Sequence, residues 1–413
     1  MKQRMRRGPW GSLAMAFLAV SLTIGMVIFP EDTFSSALVG LRVWWEIVFP
    51  ALLPFFVFSE ILMGLGVVNA MGVLLEPLMR PLFNVPGVGS FVMAMGLASG
   101  YPLGAILTSK LRRQNACSQV EAERLISFTN TADPLFMFGA VAVGMFGDAT
   151  VGTILALSHY LASLLVGLCM AFYCRNAPQT SDHVVRGNIL IKSLVELHRA
   201  RKRDGRPLGQ LMGDAIRNSV QSLLTIGGFI IIFSVLTRLA TIVGIVDLIG
   251  AMVALMLAPL GIATTLAPSV VSGFFEITLG TQVCAAAMAP LTQRVAMAGA
   301  IIAWSGLSVH GQVASVINGT DIRMTPYLLS RLLHAVLAFV LTIVLWNTFS
   351  VFNITLDIPV FLTTIPSSNP SFILYRLWFT GLRAATFLGI AVLFSALVVG
   401  LTRIKISFWR VKA

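Results

Sequence analysis

The sequence predicts an all-α, polytopic membrane protein with inverted repeats, two re-entrant helical hairpins and broken transmembrane helices. Three observations point there. Of 413 residues, 57% are hydrophobic and 11% charged, where soluble domains hold roughly 45–50% and about 25%. A water-soluble chain divides into domains before one core could hide so much apolar surface. Second, the 29 Lys and Arg residues gather between apolar runs. Third, Pro, Gly, Ser and acidic residues interrupt those runs at matching places in the two halves.

Apolar runs near the length of about 20 residues that spans a bilayer fall at 11–30, 44–66, 88–108, 125–147, 151–173, 218–240, 242–262, 264–290, 295–317, 327–349 and 383–402. The first follows Lys2, Arg4, Arg6 and Arg7, like the basic region of a signal peptide. No small-residue cleavage site follows, so it reads as a retained helix with a cytoplasmic N-terminus. Pro30-Glu31-Asp32 reads as a loop. The longest polar stretch, 175–217, holds nine basic residues. If every preceding run crossed the membrane, this stretch would lie outside together with Lys110, Arg112, Arg113 and Arg124, against the positive-inside rule.

Both violations vanish if 88–108 enters and leaves on the cytoplasmic side. The same device applied to 264–290 on the outer side, with 242–262 laid along the interface, also brings Arg403, Lys405, Arg410 and Lys412 inside. Only Arg42, Arg238, Arg294, Arg376 and Arg383 then lie outside, leaving 24 basic residues inside. Ser99-Gly100-Tyr101-Pro102-Leu103-Gly104 gives the first hairpin its turn, since Pro lacks an amide donor and Gly weakens a helix. The breakers of the second are Pro268, Ser272-Gly273 and Gly280, with Glu276 among them.

Each half holds an apolar run ending in Phe-Ser (Phe58-Ser59, Phe233-Ser234), an amphipathic stretch, a broken hairpin, an interrupted span and a plain helix. The chain divides into an N-terminal helix and outer loop (1–43), a first repeat (44–173), a basic cytoplasmic linker (174–217), a second repeat (218–350), and an outer loop, last helix and basic tail (351–413). Paired broken helices in inverted repeats mark secondary transporters with a site near the midplane, and irregular backbone at that depth lines a cavity or is buried in protein.

The breaks nominate the binding residues: Ser99, Gly100 and Tyr101 in the first hairpin, Asn130, Thr131 and Asp133 in the first interrupted span, Glu276 in the second hairpin, and Ser305, Ser308, His310 and Gln312 in the second interrupted span. Intramembrane ionisable groups are costly and functional by default. Asp133 before Pro134 also suits a half-helix cap, and Glu60 suits either an interfacial or a functional role. His159 and His334 lie in plain helices and read as structural, Arg331 reads as snorkelling to headgroups, and Lys192–Arg206 as a solvated helix and turn. No catalytic residue, cofactor or metal site is expected: no nucleophile–base pair or phosphate loop is present, and Cys117, Cys169, Cys174 and Cys284 show no paired spacing. The net charge of +12 implies no nucleic-acid partner, because its charges lie between spans. The bilayer is the expected partner; a homo-oligomer is left open.

The strings Trp44-Trp45-Glu46-Ile47-Val48-Phe49-Pro50, Leu75-Glu76-Pro77-Leu78, Ser99-Gly100-Tyr101-Pro102, Glu121-Ala122-Glu123-Arg124-Leu125, Phe128-Thr129-Asn130 and Ser305 to Gln312 resemble the sporulation integral membrane protein YlbJ family, over roughly residues 10–350. The resemblance implies a gate, or nucleoside-recognition-like, domain similar to parts of concentrative nucleoside transporters. It also implies a role in stage V of sporulation, in the outer forespore membrane of the mother cell, moving dipicolinic acid toward the spore. The chain departs from the family in carrying Asp133 where Asn often precedes the Pro. Dipicolinate is a planar dianion; half-helix N-termini and Ser, Thr and Asn donors suit its carboxylates, and Tyr101 suits its ring. Glu276 would repel it unless protonated or paired with a cation, which points to a coupling proton or cation. A nucleoside or ion transporter of the same fold, and a sporulation scaffold that moves no solute, are the alternatives.

Overall fold

The computed structural model describes residues 9–180 and 189–352, and every regular element among them is helical. The first part comprises α1 (Pro9–Ile28), α2 (Pro30–Val43), a π-helical turn (Trp44–Val48), α3 (Phe49–Gly64), α4 (Val67–Phe83), α5 (Gly89–Ser99), α6 (Leu103–Arg113), α7 (Gln119–Thr129), a π-helical segment (Leu135–Met145) and α8 (Ala149–Met170). The second comprises α9 (Ile189–Asp204), α10 (Leu208–Ile242), α11 (Ile245–Leu257), two 3₁₀ turns, α12 (Ala267–Phe275), α13 (Ile277–Ala286), α14 (Leu291–Trp304), α15 (Gly306–Ile317) and α16 (Met324–Phe352). The expected helix 383–402, the basic tail, Lys2, Arg4, Arg6, Arg7, Arg186, Arg376 and Arg383 lie outside the described residues.

Four stretches are long and apolar enough to cross a membrane: Ala149–Met170, Leu208–Ile242, Leu291–Ile317 and Met324–Thr348. The number rises to six if two bent pairs each count as one span, Ala16–Ile28 with Pro30–Glu46 (104°) and Leu52–Gly64 with Val67–Leu75 (78°). The runs 88–108 and 264–290, expected as hairpins, form the helical hairpins α5–α6 and α12–α13, whose arms of 9 to 11 residues pack on each other. At 1.5 Å per residue each arm is about 15 Å long, half the hydrocarbon thickness.

Local chemistry sets the boundaries. Ser118 and Glu121 form a reciprocal capping box that starts α7 at Gln119, six residues before the apolar run begins. Asp148 caps α8 by accepting from Thr150 N at 2.8 Å. Pro30-Glu31-Asp32 is not a loop: Pro30 occupies the first turn of α2, where its missing amide is harmless, and the two acidic residues face the positive helix end. In the second hairpin the break falls at Glu276, whereas Gly273 and Gly280 sit inside the arms. A Cβ on Gly280 would lie 2.2 Å from Gly273 Cα, so the glycines are there for close approach and not for turning.

One buried cluster gathers α3 to α7 with Leu223, Ile226 and Ile230 of α10 and Val309 and Val313 of α15. A second joins the π-helical segment and α8 to the second hairpin and α14. The hairpins therefore belong to different cores. The linker is not a solvated helix: α9 packs along α4, with Ser193 Oγ donating to Ala70 O at 2.9 Å.

Candidate functional site

Four breaks converge. Gly100, with φ of 78°, and the cis Tyr101–Pro102 bond separate α5 from α6. The extended residues after α7 end at Asp133, whose Oδ1 accepts from Phe136 N at 2.8 Å as the chain coils again behind Pro134. Glu276 is extended and its Oε2 accepts from Leu279 N at 2.8 Å, opening α13. Ser305, left-handed at φ 72°, divides α14 from α15. Between them lies a cavity of about 90 Å³, room for several waters where one needs about 10–15 Å³. Its polar lining is Tyr101, Asp133, Glu276, Thr278, Ser308 and Gln312, set among aliphatic side chains such as Leu52, Ile226 and Ile230. A mostly apolar cavity with few polar groups is the ordinary form of a small-molecule site.

Of the residues nominated from sequence, Tyr101, Asp133, Glu276, Ser308 and Gln312 face this cavity. The others stand behind its wall. Ser99 is fully buried, and its Oγ has no hydrogen-bond partner. Gly100 backs onto Asp133, where an added Cβ would come within 2.5 Å of Oδ2. Asn130 Nδ2 donates to Tyr327 Oη at 2.9 Å, and Thr131 Oγ1 to Gly96 O at 3.2 Å. His310 Nε2 donates to Trp304 O at 2.9 Å, with its ring edge-on to both Trp304 and Tyr327. Ser305 Oγ turns back to its neighbour's carbonyl. Glu60 pairs with Lys110 at the open end of the first hairpin. A polar chamber of about 850 Å³ opens there, lined among others by Arg80, Arg113, Glu196 and Arg206.

The support behind the wall was not read from sequence. Arg331 does not snorkel; it is 0% exposed. Its guanidinium donates to Asn130 O at 2.8 Å and to Ser127 O, and lies over the Tyr327 ring. It thus satisfies the carbonyls orphaned where α7 stops. His159 and His334, expected to be structural, both bond to backbone. His159 Nε2 accepts from Ala132 N at 3.1 Å, and His334 Nε2 donates to His159 O at 2.9 Å. Tyr160 donates to Leu97 O and Ala132 O at 3.0 and 3.2 Å. The broken segment 130–134 is therefore held by α8 and α16, and the only sequence signal was the oddity of three ionisable residues in apolar helices. Tyr101 Oη donates to Ile302 O at 2.9 Å, tying the first hairpin tip to α14. Among the described residues no three His, Cys, Asp or Glu side chains converge as metal ligands.

Two of the four half-helix amide ends at the breaks are capped by the chain's own carboxylates, Asp133 and Glu276, whereas α6 and α15 start without a side-chain cap. The two capped ends are therefore not free for an anion in this arrangement.

Broken helices enclosing a small, mostly apolar cavity define an integral membrane protein of transporter-like fold. A family model described as Gate, nucleoside recognition, matches residues 45–171, from the π-helical turn through α8. The chain belongs to the family of the sporulation integral membrane protein YlbJ. It is 47% identical over 341 residues to that protein of Bacillus subtilis (strain 168), covering 81% of this chain and 83% of the relative. An uncharacterized protein of Alkalihalophilus pseudofirmus is 29% identical over 150 residues, 35% of this chain and 31% of its own length.

Proposed function

We propose that this chain carries a small anionic metabolite across a membrane by alternating access, with the cavity as its binding site. We take the solute to be dipicolinic acid, moved from mother cell toward forespore across the outer forespore membrane. The observation carrying this reading is the convergence of breaks at 100–102, 130–134, 276 and 305 on one cavity, because lipid tolerates irregular backbone only where protein buries it or a cavity meets it. The sporulation name of the Bacillus subtilis relative supports the setting. The Gate match supports solute recognition.

In this reading α5–α6 and α12–α13 are re-entrant hairpins from opposite faces, 44–173 and 218–350 are inverted repeats, and both termini and the basic linker are cytoplasmic. α11 lies along the interface, and the chain does no chemistry on its solute. The wide polar chamber beside Lys110 is the aqueous approach on the basic side. An arriving dianion meets Asp133 and Glu276, so it binds with a proton on Glu276 or with a cation between the carboxylates. That makes coupling to a proton or cation a requirement of the charge balance. A nucleoside is the second reading, favoured by the description of the matched family model and by aliphatic walls that suit a base.

Uptake of labelled dipicolinate into vesicles holding the purified protein tests both. Glu276→Gln, whose amide oxygen still accepts from Leu279 N, and Ser308→Ala should each lower uptake about tenfold, the equivalent of one charge-assisted hydrogen bond, while thermal stability stays near wild type. Full uptake in both variants removes the cavity from the mechanism. Uptake of uridine but not dipicolinate selects the nucleoside.

A further inference from the structure

The helix of the basic linker, α9, has two unlike faces. Ser193, Leu197 and Ala200 lie toward α4: Ser193 Oγ donates to Ala70 O, and Gly66 packs against Leu197 O and Ala200 Cβ. Away from α4, Leu190, Ile191, Leu194 and Val195 are 58%, 61%, 66% and 42% exposed. At 100° per residue, positions 191, 194, 195, 198 and 202 share one flank, so the apolar patch continues into His198 and Lys202, with Arg199 at its margin. The side chains of Arg199 and Arg203 reach Glu196 at 3.8 and 2.6 Å and remain 67% and 70% exposed. Four large exposed apolar residues in one and a half turns have no place on a solvated helix. The cations beside them identify what covers the patch.

We propose that α9 lies on the basic-side membrane surface as an amphipathic anchor, with Ile191, Leu194 and Val195 in the acyl boundary and Arg199 and Lys202 on anionic lipid headgroups. An apolar stripe flanked by cations is the pattern by which helices settle in an anionic interface. The placement agrees with the fold, since α4 turns 78° from α3 and α9 runs along α4. It also gives the lipid a hold on the polar chamber, because Glu196, Ala200 and Arg203 of α9 form part of that chamber's wall.

The full-length protein, with exposed Cys169 and Cys174 replaced by Ser, would carry an environment-sensitive fluorophore on Leu194→Cys or, in a second version, on Ile191→Cys. It would be placed in vesicles containing lipids with nitroxides high on the acyl chain; a label on Leu224→Cys, on the exposed flank of α10, sets the fully quenched reference. In mixed phosphatidylglycerol–phosphatidylcholine vesicles both α9 labels should be quenched. The insertion equilibrium should fall about fivefold for each cation lost in Arg199→Gln and Lys202→Gln, and again in pure phosphatidylcholine. Labels that stay unquenched in phosphatidylglycerol, because the face meets water or another protein, overturn the proposal. So does quenching indifferent to lipid charge and to both substitutions. Neither outcome bears on the central cavity, whose test is solute uptake.

Discussion

The two hairpins are matched in length and unlike in how they are held. The first is fastened across the whole chain. Its tip binds Ile302 through Tyr101, while Ser109 Oγ and Arg113 donate to Val316 O at 3.0 and 2.9 Å. Arg112 grips Asp321 with both nitrogens at 2.7 and 2.8 Å. Among the described residues, the side-chain hydrogen bonds of the second reach no further than 30 residues, such as Trp304 Nε1 to Phe274 O at 3.3 Å and Arg294 to Ala285 O. Its two arms close on each other at Gly280 and Gly273, and the pair is seated by apolar packing, Gly273 under Ile301 and Ile277 and Cys284 in one cluster with α8 and the π-helical segment. Directional bonds to a distant element fix a position; apolar packing alone constrains it less. The shared pattern of breaks therefore hides a mechanical difference between a fixed arm and a seated one.

That contrast can be tested, beginning with its strongest element. Arg331→Met leaves the carbonyls of Ser127 and Asn130 without donors and should cost about 3–5 kcal/mol, read as the largest fall in melting temperature in detergent. A loss below about 1 kcal/mol, the scale of a single ordinary hydrogen bond, would mean the floor beneath the first hairpin does not depend on it. Next come paired overpacking changes. A Cβ at Gly104 would fall 2.3 Å from Thr129 O, and one at Gly280 2.2 Å from Gly273 Cα. Gly104→Ala should cost about 2–3 kcal/mol because the fixed arm cannot yield, and Gly280→Ala nearer 1 kcal/mol because the seated arm shifts. Equal losses would erase the distinction.

A smaller effect is expected at the rim. Arg112→Ala should cost about 0.5–1 kcal/mol at low salt and less at high salt, since Asp321 is largely exposed. Its hydrogen bonds hold the Asp321 carboxyl below its ordinary range. The stabilisation is complete above the unfolded value near 3.8 and is lost as pH falls through the lower folded one. Asp321→Asn should flatten the acid limb of the stability curve in that window. Trp304→Phe, which removes a single long hydrogen bond to Phe274 O, should cost about 0.5 kcal/mol, seen as faster amide exchange confined to α12.

Much of the fold was legible because lipid imposes strict rules on composition and backbone. Apolar runs placed the helices, and Pro102 and Pro134 marked two breaks through the amides they lack. Gly273 and Gly280 misled, because a glycine that lets two helices touch looks in sequence like one that ends a helix; the actual break is the self-capping Glu276. Pro30 misled in the opposite way, being a helix start. The π-helical segments at 44–48 and 135–145 left no mark, since wide turns depend on packing more than on residue type. At the site, the polar residues facing the cavity lay at or near the breaks and could be nominated, except Thr278. Arg331, His159 and Tyr160 could not, because each supports a segment 27 to 204 residues away.

The carboxylates of Asp133 and Glu276 already close two of the amide ends that an anion would seek. In the transport proposed above, a visiting carboxylate would swap places with a resident one at these two ends instead of filling a gap, and its affinity there would be a small difference between two similar bonds. A carrier of the proposed kind, built this way, would hold its cargo loosely on either face, trading tight capture for quick release.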